Sequence, residues 1–193
     1  MPTLVICTGN VGKRKEIEAL LPEGVRVLVP EDLGIPADLP ESGVTLEENA
    51  LEKARHVHQL SGLPCMADDT GLEVDALDGR PGVRSARYAG SARDPQQNMA
   101  KLLEELAGEE ERGARFRTVI AFVDSGEERC FEGEVRGHIA DRPSGEHGFG
   151  YDPVFIPEGG KVSFAEMDDR TKNAISHRGR AVAKFLAHYR QRG

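Results

Sequence analysis

A chain of 193 residues, 38% of them hydrophobic, is long enough for one sizeable core or for two lobes sharing a cleft, and a single domain over residues 1–193 is expected. The formal net charge of −8 argues against a general affinity for nucleic acid polymers. With neither a basic leader nor a long apolar stretch at the N-terminus, a cytoplasmic protein with no membrane partner is expected.

Leu4 to Cys7 reads as a buried strand, broken by Gly9-Asn10-Val11-Gly12 before a helix from about Lys13 to Leu21 that Pro22 closes. Val25 to Val29 is a second strand, and Asp32 to Gly43 a loop rich in Pro and Gly. Thr45 and Glu48 have capping-box spacing ahead of a helix from Leu46 to about Leu60, ended by Gly62 and Pro64. Cys65 to Ala67 is the next strand. Asp94-Pro95 opens an amphipathic helix carrying Met99, Leu102, Leu103 and Leu106, and Gly108 to Gly113 is an exposed loop. Arg115 to Asp124 alternates in character and turns at Ser125-Gly126 into Arg129 to Val135, an antiparallel hairpin. A loop from Arg142 to Asp152 precedes a short strand near Val154 to Ile156, and a helix from about His177 to Gln191 ends the chain. The order gives an α/β or α+β fold with one mixed sheet. Cys7, Cys65 and Cys130 are distant and odd in number, so each reads as a small buried residue and none as part of a disulfide framework or metal site.

Five segments carry chemistry. Ala67-Asp68-Asp69-Thr70-Gly71-Leu72-Glu73-Val74-Asp75 sets four acids within eight positions directly after an apolar run. Strand alternation would put Asp69, Glu73 and Asp75 on one side and Asp68 on the other. A bound Mg²⁺ or Mn²⁺ explains such repulsion where a solvated acidic turn does not need one. Thr8-Gly9-Asn10-Val11-Gly12-Lys13 joins strand to helix, so backbone N–H groups, the helix end and Lys13 could converge on phosphate; a glycine turn made for chain reversal is the alternative. Glu41 could meet Asp69 across a cleft. On the helix that follows, Glu52 with Lys53 and Arg55 with Glu48 read as a solvated charged face, from which Lys53 alone turns inward. Gly148-Phe149-Gly150-Tyr151-Asp152-Pro153 offers a stacking ring between two glycines, or else a core aromatic in a tight turn. Lys172, His177 and Arg178 gather at the start of the final helix, where positive charge opposes the dipole unless an anion or a base carbonyl is bound.

With Thr8-Gly9-Asn10, Lys13, Glu16, the Ala67 to Leu72 run, Pro81-Gly82 through Ser85-Ala86-Arg87-Tyr88, Phe149 to Pro153 and Ser176-His177-Arg178 in order along the chain, the sequence closely resembles the inosine triphosphate pyrophosphatase family. The resemblance implies an elongated central mixed sheet flanked by helices, in two lobes around a deep cleft, and a homodimer. It implies Mg²⁺-dependent hydrolysis of ITP, dITP or XTP to monophosphate and pyrophosphate, cleansing the nucleotide pool. By the same resemblance Thr8, Gly9, Asn10, Val11, Gly12 and Lys13 hold the triphosphate. Lys53 and Lys172 add positive charge. Asp69 and Glu41 bind the metal with Asp68 in support, and Asp69 is also the general base. Thr70 stands in the substrate site where many relatives have Ser. Phe149, with Gly150 and Tyr151, receives the purine, and Asp152, His177 and Arg178 contact its edges. Arg178 only donates, which suits the O6 carbonyl of hypoxanthine or xanthine. Two other readings stay open: a pyrophosphatase for ordinary or pyrimidine nucleotides, and a non-catalytic nucleotide-binding regulator.

Overall fold

Leu4, Val5 and Ile6 have no exposed surface, and in the computed structural model, which describes residues 2–192, they form β1 (Thr3–Ile6). The helix after it, α1 (Val11–Glu18), starts two residues before Lys13, because the Asn10 side chain already caps the Lys13 N–H at 3.0 Å. β2 (Arg26–Leu28) and β3 (Cys65–Val74) both pair parallel with β1. Between them, α2 (Leu46–Ser61) opens on the expected Thr45/Glu48 capping box and closes on Gly62, whose φ of 68° only glycine adopts cheaply.

β3 runs well past Ala67. Its apolar start continues unbroken through both aspartates to Val74 and pairs antiparallel with the two-residue β4 (Pro81–Gly82). Asp94 caps α3 (Pro95–Glu105) through Gln96 and Gln97. The hairpin of β5 (Gly113–Asp124) and β6 (Glu127–Ile139) turns at Ser125-Gly126, and β7 (Phe155–Pro157) pairs antiparallel with β6. The strand order is β2-β1-β3-β5-β6-β7, with β4 on β3, a mixed sheet as expected. The final helical stretch is two helices, α4 (Asp169–Ile175), capped by Asp168, and α5 (His177–Tyr189).

The chain forms two compact units: residues up to Asp69 with Thr118–Gly133 and residues from Arg178 on, and Thr70–Arg117 with Glu134–His177. The first has its own core, in which Leu4, Ile6, Met66, Ile120 and Phe122 pack with Val182 and Phe185 of α5. The second is centred on Leu72, Leu102, Leu106, Phe116, Phe155 and Phe164. Cys7 and Cys65 are buried as expected, whereas Cys130 is exposed, since its position on β6 lies outside both cores. Among the described residues no helix is long and apolar enough to cross a membrane.

Candidate active site

In the first unit the buried stripe of α2 reads Leu46, Asn49, Ala50, Lys53, Ala54 and Val57, so a helix face of apolar spacing carries two polar side chains inward. Lys53, 5% exposed, donates from Nζ to Glu41 Oε1 at 2.8 Å and to the Asp68 carbonyl at 2.7 Å, and lies 3.6 Å from Asp69 Oδ1. Burial disfavours its charge, but Asp69, Glu41 and Asp68 outweigh that and raise its pKa. Glu41 and Asp69 are thus gathered on one ammonium. On the rest of α2 the solvated charged face forms, with Glu48 and Arg55 exposed, but the partners differ from those expected. Glu52 accepts from the backbone and hydroxyl of Ser42, Glu48 is occupied by capping, and Arg55 pairs with Glu128 at 2.6 Å.

Asp68 and Asp69, neighbours in β3, sit in opposed electrostatic settings. Burial would raise the Asp68 carboxyl, but Lys13, Arg178 and Lys53 overcome it and hold it well below the usual carboxylate range. Lys13 Nζ is 3.1 Å and Arg178 Nε 3.3 Å from Asp68 Oδ2, and Arg178 Nη1 also donates to Glu16. For Asp69 burial wins: its pKa is raised, with Lys53 and Lys13 offsetting only part and nearby Glu41 adding to the rise. The Asn49 amide donates to Asp69 Oδ2 at 3.2 Å.

The turn before α1 leads directly into Lys13 and carries Thr8, whose Oγ1 accepts the Asn10 N–H at 3.2 Å. A Cβ on Gly9 would come within 3.0 Å of the Ala37 carbonyl, so the turn is closely covered at that point. Val11 and Gly12 fall in the first helical turn, where backbone N–H groups are not consumed by the helix.

In the second unit, Asp152 Oδ2 accepts from the Phe149 N–H at 2.8 Å and from Lys172 Nζ at 2.6 Å, and that ammonium lies 4.8 Å over the Phe149 ring. Gly148 and Gly150 have φ of 72° and 62°, and a Cβ on Gly148 would meet Asp152 Oδ2 at 2.2 Å. Phe149 is half-buried, while the Tyr151 hydroxyl donates to the Ser85 carbonyl at 2.7 Å, which makes Tyr151 a buried strut. His177 stacks on Phe116 with centroids 4.5 Å apart. Thr70 is half-buried in β3. Lys172 lies in the last turn of α4, where its charge complements the helix end, so the expectation that it opposes the final helix's dipole is corrected; His177 and Arg178 do open α5.

Glu41, Asp68 and Asp69 are oxygen donors of the kind Mg²⁺ takes. Among the described residues no group of three or more His, Cys, Asp or Glu side chains has metal-ligand spacing. The fit therefore rests on Glu41 and Asp69, which repel one another across Lys53. One or two protein carboxylates are what Mg²⁺ commonly uses when phosphates and water complete its shell. No motif singles out Asn49 or assigns a task to Glu16. The legible signal was a polar residue inside a buried helical stripe.

Residues 4–188 match the model of the Ham1 family. The chain is 51% identical over 186 residues to a dITP/XTP pyrophosphatase of Porphyromonas gingivalis, covering 96% of each chain. It is 46% identical over 189 residues to the Bacillus subtilis protein of the same name, again covering 96% of each. Among solved structures, a HAM1 protein from Coxiella burnetii superposes with a TM-score of 0.90 at 37% identity, covering 99% of this chain and 100% of that one.

Proposed function

The chain belongs to the Ham1 family, and on that premise we propose that it is a nucleoside triphosphate pyrophosphatase that converts dITP, ITP and XTP to the monophosphate and pyrophosphate. The observation that carries the reading is the gathering of Glu41 and Asp69 on the buried Lys53 ammonium while neighbouring Asp68 is tied to Lys13 and Arg178; the opposed directions in which burial and these cations shift the two aspartates accord with it. Environments that push a carboxylate pair apart separate an electrostatic anchor from an acid–base group.

In this reading Thr8, Gly9, Asn10 and the first-turn amides of Val11 and Gly12 receive the triphosphate with Lys13, and Lys53 adds positive charge. Asp69 orients a water and accepts its proton as the oxygen adds to the α-phosphorus. The bond from that phosphorus to the bridging oxygen breaks, and pyrophosphate leaves. Glu41 and Asp69, with Asp68 in support, would hold Mg²⁺ or Mn²⁺, which when bound neutralises charge developing on the phosphates. Phe149 stacks on the purine, with Thr70, Gly150 and Tyr151 shaping its seat. Asp152, Lys172 and His177 read the base edges. Arg178 has five N–H donors, and its contacts with Glu16 and Asp68 fix the plane from which one donates to O6. The protein acts in the cytoplasm, a compartment suited to three free thiols, and as a homodimer, which light scattering on the purified chain tests.

Pyrophosphate release with Mg²⁺ from dITP, ITP, XTP, GTP, ATP and dTTP tests the proposal. Faster release from dITP, ITP and XTP is expected. Equal rates would remove the base-recognition part, and nucleotide binding without release would favour a non-catalytic regulator.

A further inference from the structure

Asn49 is a buried polar side chain, 1% exposed, with a partner on each side of its amide. Its Nδ2 donates to Asp69 Oδ2 at 3.2 Å, and its Oδ1 accepts the Gly43 N–H at 2.8 Å. Gly43 belongs to the segment that bears Glu41. That segment is fastened to α2 by further acceptors: Glu52 takes the Ser42 N–H and hydroxyl, and Glu48 takes the Val44 N–H at 2.7 Å. The seat has no room for a side chain at Gly43, where a Cβ would lie 2.5 Å from Glu48 Cβ and 2.9 Å from Asn49 Oδ1. Asp69 and Glu41 come from segments far apart in the sequence. Lys53 attracts both, but an ammonium on a flexible stem does not fix the orientation of either carboxylate. A planar amide with one donor and one acceptor committed does.

We propose that Asn49 is a positioning residue for the pyrophosphatase reaction: one amide sets the Asp69 carboxylate and the Glu41-bearing loop in a fixed relation, and so prepares the two oxygen donors for a divalent cation. The inference rests on the functional reading above. It assigns Asn49 no contact with substrate. Its task is to remove the cost of orienting two mutually repelling carboxylates when the cation arrives, the kind of support whose loss commonly weakens metal affinity or turnover by about 10–100-fold.

Two variants separate positioning from mere packing. Asn49→Leu removes both hydrogen bonds at similar volume, whereas Asn49→Asp keeps an acceptor for the Gly43 N–H and loses the donor to Asp69. Three quantities are measured on each: turnover of dITP, the Mg²⁺ concentration giving half of the Mg²⁺-induced rise in Tm, and hydrogen exchange at the Gly43 amide. For Asn49→Leu, kcat falls by about 10–100-fold and half-saturating Mg²⁺ rises by about tenfold or more, with KM for dITP within about threefold of wild type and faster Gly43 exchange. Asn49→Asp keeps the Gly43 amide protected and still shows depressed kcat and an altered Mg²⁺ midpoint. Wild-type kcat and Mg²⁺ midpoint in Asn49→Leu would overturn the proposal, as would full recovery of both in Asn49→Asp, which would leave only a loop contact. The Mg²⁺ and exchange arms need no turnover. A wild-type protein that released no pyrophosphate would defeat the functional reading and leave those arms to judge Asn49.

Discussion

The charged cluster of the first unit and the aromatic turn of the second solve different problems with different materials. The cluster is a lattice of ions: Lys13, Lys53 and Arg178 against Glu16, Glu41, Asp68 and Asp69, nearly all buried. The turn is mostly backbone geometry, two left-handed glycines around Phe149 with one buried ion pair, Asp152 with Lys172, behind it. A lattice of charges stabilises reacting groups only if each charge keeps its partner, whereas a shaped turn recognises a flat ligand with little charge at stake. The comparison teaches that rate should reside in the ions of the first unit and the stacking of a base in the turn of the second, with Arg178 of the first unit the exception that would donate to O6.

Asp69→Asn is the sharpest way to break this division. It should lower kcat by about 10²–10⁴-fold, the usual worth of a general base, with KM nearly unchanged; steady-state kinetics on dITP would read it, and a change confined to KM would sink the assignment. Next in size, Arg178→Met strands Asp68 and Glu16 without their guanidinium, and urea denaturation should show a loss of about 3–5 kcal/mol, as for one partner removed from a buried pair. Phe149→Ala should instead leave kcat for saturating dITP largely intact and weaken binding by about 1–3 kcal/mol, the worth of a base–aromatic stack. A fall in kcat alone would place Phe149 in the chemistry and erase the contrast.

The smallest effect concerns pH and sets the two neighbouring aspartates against each other. Asp68 has a lowered folded pKa, so its ionisation stabilises the fold above the ordinary value of 3.8, and this contribution is lost as acid protonates it. Asp69 has a raised folded pKa, so the relative stability it lends is full below 3.8 and lost as pH rises through its folded value. At neutral pH, therefore, Asp68→Asn should lower Tm while Asp69→Asn raises it, and the Asp69→Asn gain should vanish in acid. The same sign for both variants in thermal melts at pH 7 would contradict the opposed environments.

Much of this architecture is local enough to read from sequence. The Thr45/Glu48 and Asp94 caps and the Ser125-Gly126 turn each involve residues a few positions apart, and each forms as expected, whereas the alternation along β5 holds only up to Thr118, beyond which Val119 to Val123 are buried on both faces. What was illegible depends on distant partners. Asp68 lies inside a strand rather than at its end because Arg178, 110 positions away, neutralises it. Arg55 turns from Glu48 to Glu128 for the same kind of reason. α4 escapes notice because seven residues hold too little periodicity to mark a helix, and its Asp168 cap resembles any turn aspartate. Within the candidate site, motifs pointed to Asp69, Lys13 and Phe149. The gathering of Glu41 and Asp69 on Lys53 shows only once α2 is seen from its buried side.

Neither compact unit is one continuous stretch of chain, for β3, β5 and β6 each contribute residues to both. During synthesis the ribosome will have delivered Asp68 and the Leu4, Ile6 and Met66 side of the first core long before α5 emerges with Arg178, Val182 and Phe185. Until then the nascent protein carries a half-built interior and an acid lacking its guanidinium. Closing the hydrophobic interior and arming the acidic centre are thus one late event, so a translation product cut short before α5 should be recognised by quality control as unfolded and not persist as a weakly active enzyme.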